Sequence, residues 1–347
     1  MSFESKPRNY LLRTYLLTLL LPAILFFVAG DALAQAPPRI SSADRVRLAE
    51  AFHLADKLGD EVWKGWSKSP FAVALVTPEY DFLVRHPGPP KEFTESGYDA
   101  DLKSKIYYRK RAFNPELLAT MYVGGVPTIV IGQAENTSAK TSTRWVVTLL
   151  HEHFHQFQYS QPDYQAGVKS LDLARGDETG MWMLNYPFSY SDAEVNRRFS
   201  IMVEALGNAL KSVKGGQFSD KLSAYVEARK QFQQALTPDD YRYFSFQLWQ
   251  EGIARYTEYR IAKLAAKRYS PSKEFTGMKD FSSFDEDADA TLNRILSRLP
   301  KLSLDKDQRI AFYTVGAAEA LLLDEANPGW QRRYTAEKFY PDKYFAK

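Results

Sequence analysis

The hydrophobic periodicity of this chain changes once, near Ser142, and that change limits the folds open to it. Before Ser142, short apolar and β-branched runs stand between Pro and Gly clusters. Phe71-Ala-Val-Ala-Leu-Val76 lies between Pro70 and Pro78, Asp81 to Val84 follows after a turn, and Pro87-Gly88-Pro89-Pro90 forms a loop. Runs of this kind read as strands buried in a sheet. Further strands are expected near 91–95, 104–111 and 126–132. A helix capped by Ser41 or Ser42 is expected over about 43–66, with Val46, Ala49, Phe52 and Ala55 at helical spacing. After Ser142 the helical period dominates. It predicts helices near 142–160, 192–213, 219–235, 239–267, 285–298 and 306–324, with an irregular aromatic stretch from Met181 to Tyr190. The order defines an α+β fold: a strand-rich N-terminal subdomain over 35–140 and a mainly helical C-terminal subdomain over 141–347.

The first 34 residues read as a leader. Lys6, Arg8 and Arg13 precede a mostly apolar, uncharged run from Tyr15 to Gly30, and Ala32-Leu33-Ala34 offers the small residues of a signal-peptidase site. The alternative is an uncleaved anchor, but only 17 uncharged residues separate Arg13 from Asp31 and Pro22 interrupts them, which is short for a spanning helix. The expectation is an exported protein, periplasmic or secreted, with no stable membrane anchor after cleavage. Its mature part carries 42 Lys and Arg against 40 Asp and Glu, a balance that argues for no nucleic-acid partner. Cysteine is absent, which excludes disulfides, thiol catalysis and thiolate metal sites.

Histidine is scarce, yet three of the five fall together in His151-Glu152-His153-Phe154-His155. Residues i and i+4 share one helix face, so the imidazoles of His151 and His155 can reach a single ion. Glu152, rotated by roughly 100° from His151, stands beside that ion as a general base would. The lead-in Trp145-Val-Val-Thr-Leu-Leu150 supports a helix, and no breaker follows until Pro162. His153 points away and takes a structural or surface role, as do His53 and His86.

A catalytic zinc needs a third protein ligand and an open position. Gln158 and Gln161 stand where a metzincin would place Gly and His, so the third ligand must come from elsewhere. Leu248-Trp-Gln-Glu251-Gly-Ile-Ala-Arg-Tyr256-Thr-Glu258 supplies a carboxylate, Glu251, in a strongly aromatic setting. Gly252 and Ala254 keep that neighbourhood small enough for helices to approach closely. Glu258 is placed to orient a metal-bound histidine and Arg255 to pair with either carboxylate. Glu178, Glu204, Asp177 and Glu258 compete with Glu251 as ligand.

The two blocks, His-Glu-x-x-His-x-x-Gln over His151 to Gln158 and Glu-Gly-x-Ala-x-Tyr-x-Glu over Glu251 to Glu258, together resemble the gluzincin superfamily of zinc metallopeptidases. The resemblance implies a zincin-like arrangement and Zn2+ held by His151, His155 and Glu251. It further implies Glu152 as catalytic base and a peptide or protein substrate, with the strand at 126–132 offering its edge to an extended peptide. It covers two short blocks, and 95 residues separate His155 from Glu251, a spacer that must hold extra helices. For the oxyanion donor the candidates are Tyr256, and beside it Tyr186, Tyr190 and Arg255. Two other classes answer to the same residues: a zinc-binding non-peptidase hydrolase or inactive relic, and an exported helical binding protein whose motif is accidental.

Overall fold

A computed structural model describes residues 36–345; the leader expected over 1–34 lies outside them. Helix α1 (Ser42–Val62) begins where Ser41 accepts a hydrogen bond from the Asp44 amide, 3.1 Å away, which satisfies one of the free N–H groups of the first turn. Its buried face carries Leu48, Phe52, Ala55 and Leu58, and Phe52 meets Phe71 edge to face at 4.7 Å.

Six strands follow: β1 (Val73–Val76), β2 (Tyr80–Val84), β3 (Thr94–Asp99), β4 (Ser104–Lys110), β5 (Leu118–Val123) and β6 (Val126–Gly132). They form one sheet in the order β3-β4-β2-β1-β6-β5, antiparallel except for the interior β1–β6 pair. The apolar runs of β1 and β6 are buried on both faces, as a central position requires. Alternate side chains divide between two clusters. Val73, Leu75, Phe82, Val84, Ile129 and Ile131 join the main core, while Ala74, Val76, Leu83 and Val130 fill a smaller one.

Two sheet expectations need correction. The strand at 126–132 is interior, flanked by β1 and β5, so it has no free edge. Strand β3 forms the opposite edge, and the edge on this side of the sheet belongs to β5, a strand not among those expected from the sequence. Its signal was the Gly124-Gly125 turn, where both residues take positive φ (56° and 79°) to close the two-residue β5–β6 hairpin. The strand expected near 91–95 starts at Thr94 instead, after the proline loop.

The principal helices after the sheet are α2 (Ser142–Tyr159), α3 (Ala193–Lys211), α4 (Phe218–Ala235), α5 (Pro238–Gln247), α6 (Ile253–Arg268), α7 (Phe284–Arg298) and α8 (Arg309–Ala326). Helices α5 and α6 are one rod, joined without a break by a π-helical turn, Leu248–Gly252. Helix α2 is buried almost all round. Trp145 on it donates to the Gly132 carbonyl at the end of β6, 2.8 Å away. One core runs through both the strand-rich and the helical half, and the described residues from Pro38 onward form a single compact unit. No helix among the described residues is long and apolar enough to cross a membrane.

The π turn is pressed against α8. A Cβ on Gly252 would stand 2.5 Å from Gly316 Cα, and one on Gly316 would stand 2.7 Å from Gly252 Cα and 2.9 Å from the Leu248 carbonyl oxygen. Backbone meets backbone here, so neither glycine has room for a side chain. Gly316→Ala is therefore expected to destabilise the protein by about 1–3 kcal/mol or more, the range of an overpacked core. Gly207→Ala on α3 meets only Leu299, at 3.8 Å, and should be neutral or stabilising by up to about 1 kcal/mol. Urea denaturation of the two variants measures the contrast; equal stability would contradict this packing.

Candidate metal centre

Helix α2 sets His151 and His155 one turn apart, and their Nε2 atoms face each other at 3.2 Å. The π turn brings Glu251 in from the other side. Its Oε2 lies 3.4 Å from His155 Nε2 and 3.8 Å from His151 Nε2. In a tetrahedral centre with bonds of about 2.0–2.1 Å, ligand atoms stand about 3.3–3.4 Å apart. The separations of 3.2, 3.4 and 3.8 Å lie around that spacing, the His151–Glu251 pair being the widest, and no other such group of His, Asp and Glu occurs among the described residues.

The outer ring nitrogens decide what the inner ones can do. His151 Nδ1 lies 2.7 Å from Glu258 Oε1, and His155 Nδ1 lies 2.6 Å from Gln158 Oε1. Both partners are acceptors and lie closer than the Gln250 amide nitrogen, which stands 3.2 Å from His155 Nδ1, so each Nδ1 carries a proton and each ring, when neutral, turns its Nε2 lone pair inward. Two ring nitrogens and a carboxylate oxygen then converge on one point, an arrangement that needs a positive charge between its members, either a proton on an imidazole or a metal ion. The donor set of two imidazoles and a carboxylate fits a divalent transition metal.

The electrostatics agree. Burial pulls the His151 imidazole down, but Glu251 and Glu258 more than offset it and lift its pKa to about 9. His155 is raised as well, against burial, chiefly by Glu251. Burial opposes the ionised Glu251, yet the two histidines hold its carboxyl well below the usual range. The pocket favours positive charge at its centre.

A chain of contacts fixes these groups. Glu258 is buried and pairs with Arg144 of α2 and with Arg255 at 2.9 Å. Arg144 also reaches Asp287 (3.2 Å) and Thr291 (2.9 Å) on α7. Burial works against the Glu258 carboxylate, but Arg144 and Arg255 keep its pKa well below normal. Behind His155, Gln158 donates to the Trp249 and Gln250 carbonyls and to the Tyr334 hydroxyl. The C-terminal segment thus braces the helix that carries the histidines. Glu152 is buried beside the cluster. The Thr120 hydroxyl on β5 lies 2.9 Å from both its Oε2 and its backbone oxygen, and shares one proton between them.

The structure thus brings together His151, Glu152, His155, Glu251, Glu258 and Arg255. It does not bring in Tyr256, a correction to the expected oxyanion donor. That phenol packs against Trp63 and Trp330, and its hydroxyl bonds to Asp324 at 2.7 Å and accepts from Arg260. Five residues past Glu251, Tyr256 has turned to another face of the rod. Tyr186 is buried in a stack on Tyr243. Asp177 caps a turn at Thr179 and Trp182, while Glu178 and Glu204 are exposed and outside the cluster. His153 is a core residue, stacked on Phe71 at 3.7 Å and pushed down to about 3 by burial. His86 is buried and His53 exposed.

Four neighbours were not foreseen. Arg144, seven residues before His151, could have been read from helical spacing; Thr120 lies on the unrecognised strand. Arg309 and Tyr313 are on α8, i and i+4. Arg309 donates to the Tyr313 hydroxyl at 2.6 Å and stands 3.9 Å from Glu251 Oε1. Burial and the Glu251 charge both raise the Tyr313 pKa. Compared with known protein families, curated proteins and solved structures, the chain matches none.

Glu258→Gln is expected to lower metal affinity about 10- to 100-fold, as loss of a histidine-orienting carboxylate does. Tyr256→Phe should leave affinity unchanged while costing about 1 kcal/mol of stability through the lost Asp324 bond. Competition against a chromophoric chelator measures both affinities. An unaltered Glu258→Gln affinity would mean that the carboxylate does not orient His151.

Proposed function

We propose that the protein is an exported zinc-dependent peptidase of gluzincin type, with His151, His155 and Glu251 as ligands and Glu152 as general base. The observation that carries the reading is the convergence of three lone-pair donors with an additional carboxylate, Glu152, beside them. A purely structural metal site has no use for that carboxylate. A zinc ion bound there supplies a Lewis acid that polarises a carbonyl and brings the pKa of a coordinated water toward about 7.

The chain's own residues supply the proton path. Glu152 accepts a proton from the attacking water as its oxygen bonds to the carbonyl carbon, and passes a proton to the amide nitrogen as the C–N bond breaks. The products are a carboxylate and an amine. The Thr120 hydroxyl holds the Glu152 carboxylate toward β5. Tyr313 replaces Tyr256 as the donor to the developing oxyanion, because its hydroxyl lies beside Glu251 and is oriented by Arg309.

The sheet edge supports a peptide substrate. In a two-residue hairpin Val123 and Val126 exchange hydrogen bonds, so Met121 and Ala119 also bond to β6, whereas Leu118, Thr120 and Tyr122 turn their N–H and C=O groups outward. Pro127, which has no N–H, stands opposite Tyr122 at a position where none is needed. Thr120 therefore offers its backbone to an added strand and its side chain to Glu152. This edge takes the role expected of the strand at 126–132.

Glu152→Gln should retain zinc and lose peptide hydrolysis by about 10²-fold or more. Tyr313→Phe should lower kcat by about 10²-fold, as removal of an oxyanion donor does. Quenched-fluorescence peptide libraries with the zinc-loaded protein measure both. A wild-type protein that binds zinc but cleaves no peptide, or a fully active Glu152→Gln, would refute the peptidase reading.

A further inference from the structure

Arginines gather on the open side of the centre. The histidines are nearly enclosed, but Glu251, Arg255, Arg309 and Tyr313 remain partly exposed. Arg255 and Arg309 lie over the same Tyr313 ring, at 6.0 and 5.4 Å from its centroid. Arg294 stands near Arg255, is exposed, and makes no ion pair among the described residues. Arg144, Arg255, Arg294 and Arg309 balance Glu152, Glu251, Glu258 and Asp287 in charge. A divalent ion at the ligand set therefore leaves two positive charges in surplus among these groups.

Arg309 is the member poised for a ligand. Among the described residues its hydrogen bonding and ion pairing run through Nη1 alone, to Tyr313 and toward Glu251. Nε and Nη2 are left as a planar fork of the geometry that grips a carboxylate with two parallel bonds. Contacts of 3.9 and 3.4 Å lead from Arg309 through Glu251 to His155. An extended peptide covers such a path in about two or three residues, at roughly 3.3–3.6 Å each.

Resting on the peptidase reading, we propose that Arg309 receives a substrate carboxylate, and that this is the C-terminal carboxylate. The enzyme then removes one to a few residues from the carboxyl end of a peptide. An interior segment of a long chain brings no C-terminal charge and, where it has no acidic side chain, leaves the fork unpaired.

The test uses zinc-loaded protein carrying Glu152→Gln, which binds without turnover, and isothermal titration with three peptides. One has a free C-terminal acid, the second is its C-terminal amide, and the third keeps the free acid but replaces a Glu near that end by Gln. The acid is expected to bind about 10- to 100-fold tighter than the amide, the range for a charge-assisted hydrogen bond. Adding Arg309→Gln should erase that ratio with zinc content and circular dichroism unchanged, and Arg309→Lys should keep part of it.

If the Glu-to-Gln peptide loses affinity and the amide does not, the C-terminal assignment falls and the carboxylate comes from an acidic side chain. Equal affinity for all three, with wild-type protein still cleaving them, overturns the Arg309 proposal and leaves the peptidase reading standing. No binding of any peptide, with no cleavage by wild type, overturns both.

Discussion

Two imidazole nitrogens and a carboxylate oxygen, His151 Nε2, His155 Nε2 and Glu251 Oε2, are held 3.2 to 3.8 Å apart in the interior of the helical half, where a proton or a metal ion must lie between them. Much of the surrounding architecture exists to keep them there. Helix α2 supplies the histidine spacing and the π turn swings Glu251 inward. The bare backbone contact between Gly252 and Gly316 seats that turn against α8. A π turn inserts one extra residue per turn and so re-aims the side chains beside it, which is why such turns recur at functional sites.

Burying so many charges is costly unless each is paired. The pairing here is directional. Arg144 and Arg255 hold Glu258, Glu258 holds His151, and Tyr334 with Gln158 holds His155. Each contact fixes a ring orientation as well as a charge, so the site is organised before any ligand arrives. Removing one member of such a buried pair costs about 3–5 kcal/mol because its partner stays behind unsatisfied. The same economy explains Thr120, which links the general base to the free strand edge and so couples chemistry to substrate position.

Much of this was legible in the amino-acid sequence because it obeys short-range rules. Helical spacing alone placed His151 and His155 on one face. A carboxylate set among aromatic residues, next to a glycine, marked Glu251 across a long spacer. The helices from 192–213 to 306–324 emerge within a few residues of expectation, and those at 192–213 and 285–298 carry clear apolar stripes. What escaped was set by packing between distant segments. Strand β5 is only half buried and lacks a strong apolar run, so its six residues gave little signal beyond the glycine turn. Tyr313 and Arg309 reach the site because α8 crosses the π turn at two glycines, and no local pattern announces that crossing. Tyr256 misled because proximity along the chain is not proximity on a helix surface; its hydroxyl serves Asp324 instead.

The central claim is that two imidazoles and one carboxylate form a single metal centre, and X-ray absorption at the zinc edge of the zinc-reconstituted protein tests it most directly. The account predicts a first shell of about four light N or O atoms near 2.0–2.1 Å, with outer-shell scattering that requires two imidazole rings. A protein that takes up no zinc, or a spectrum that requires one imidazole or three, would contradict it.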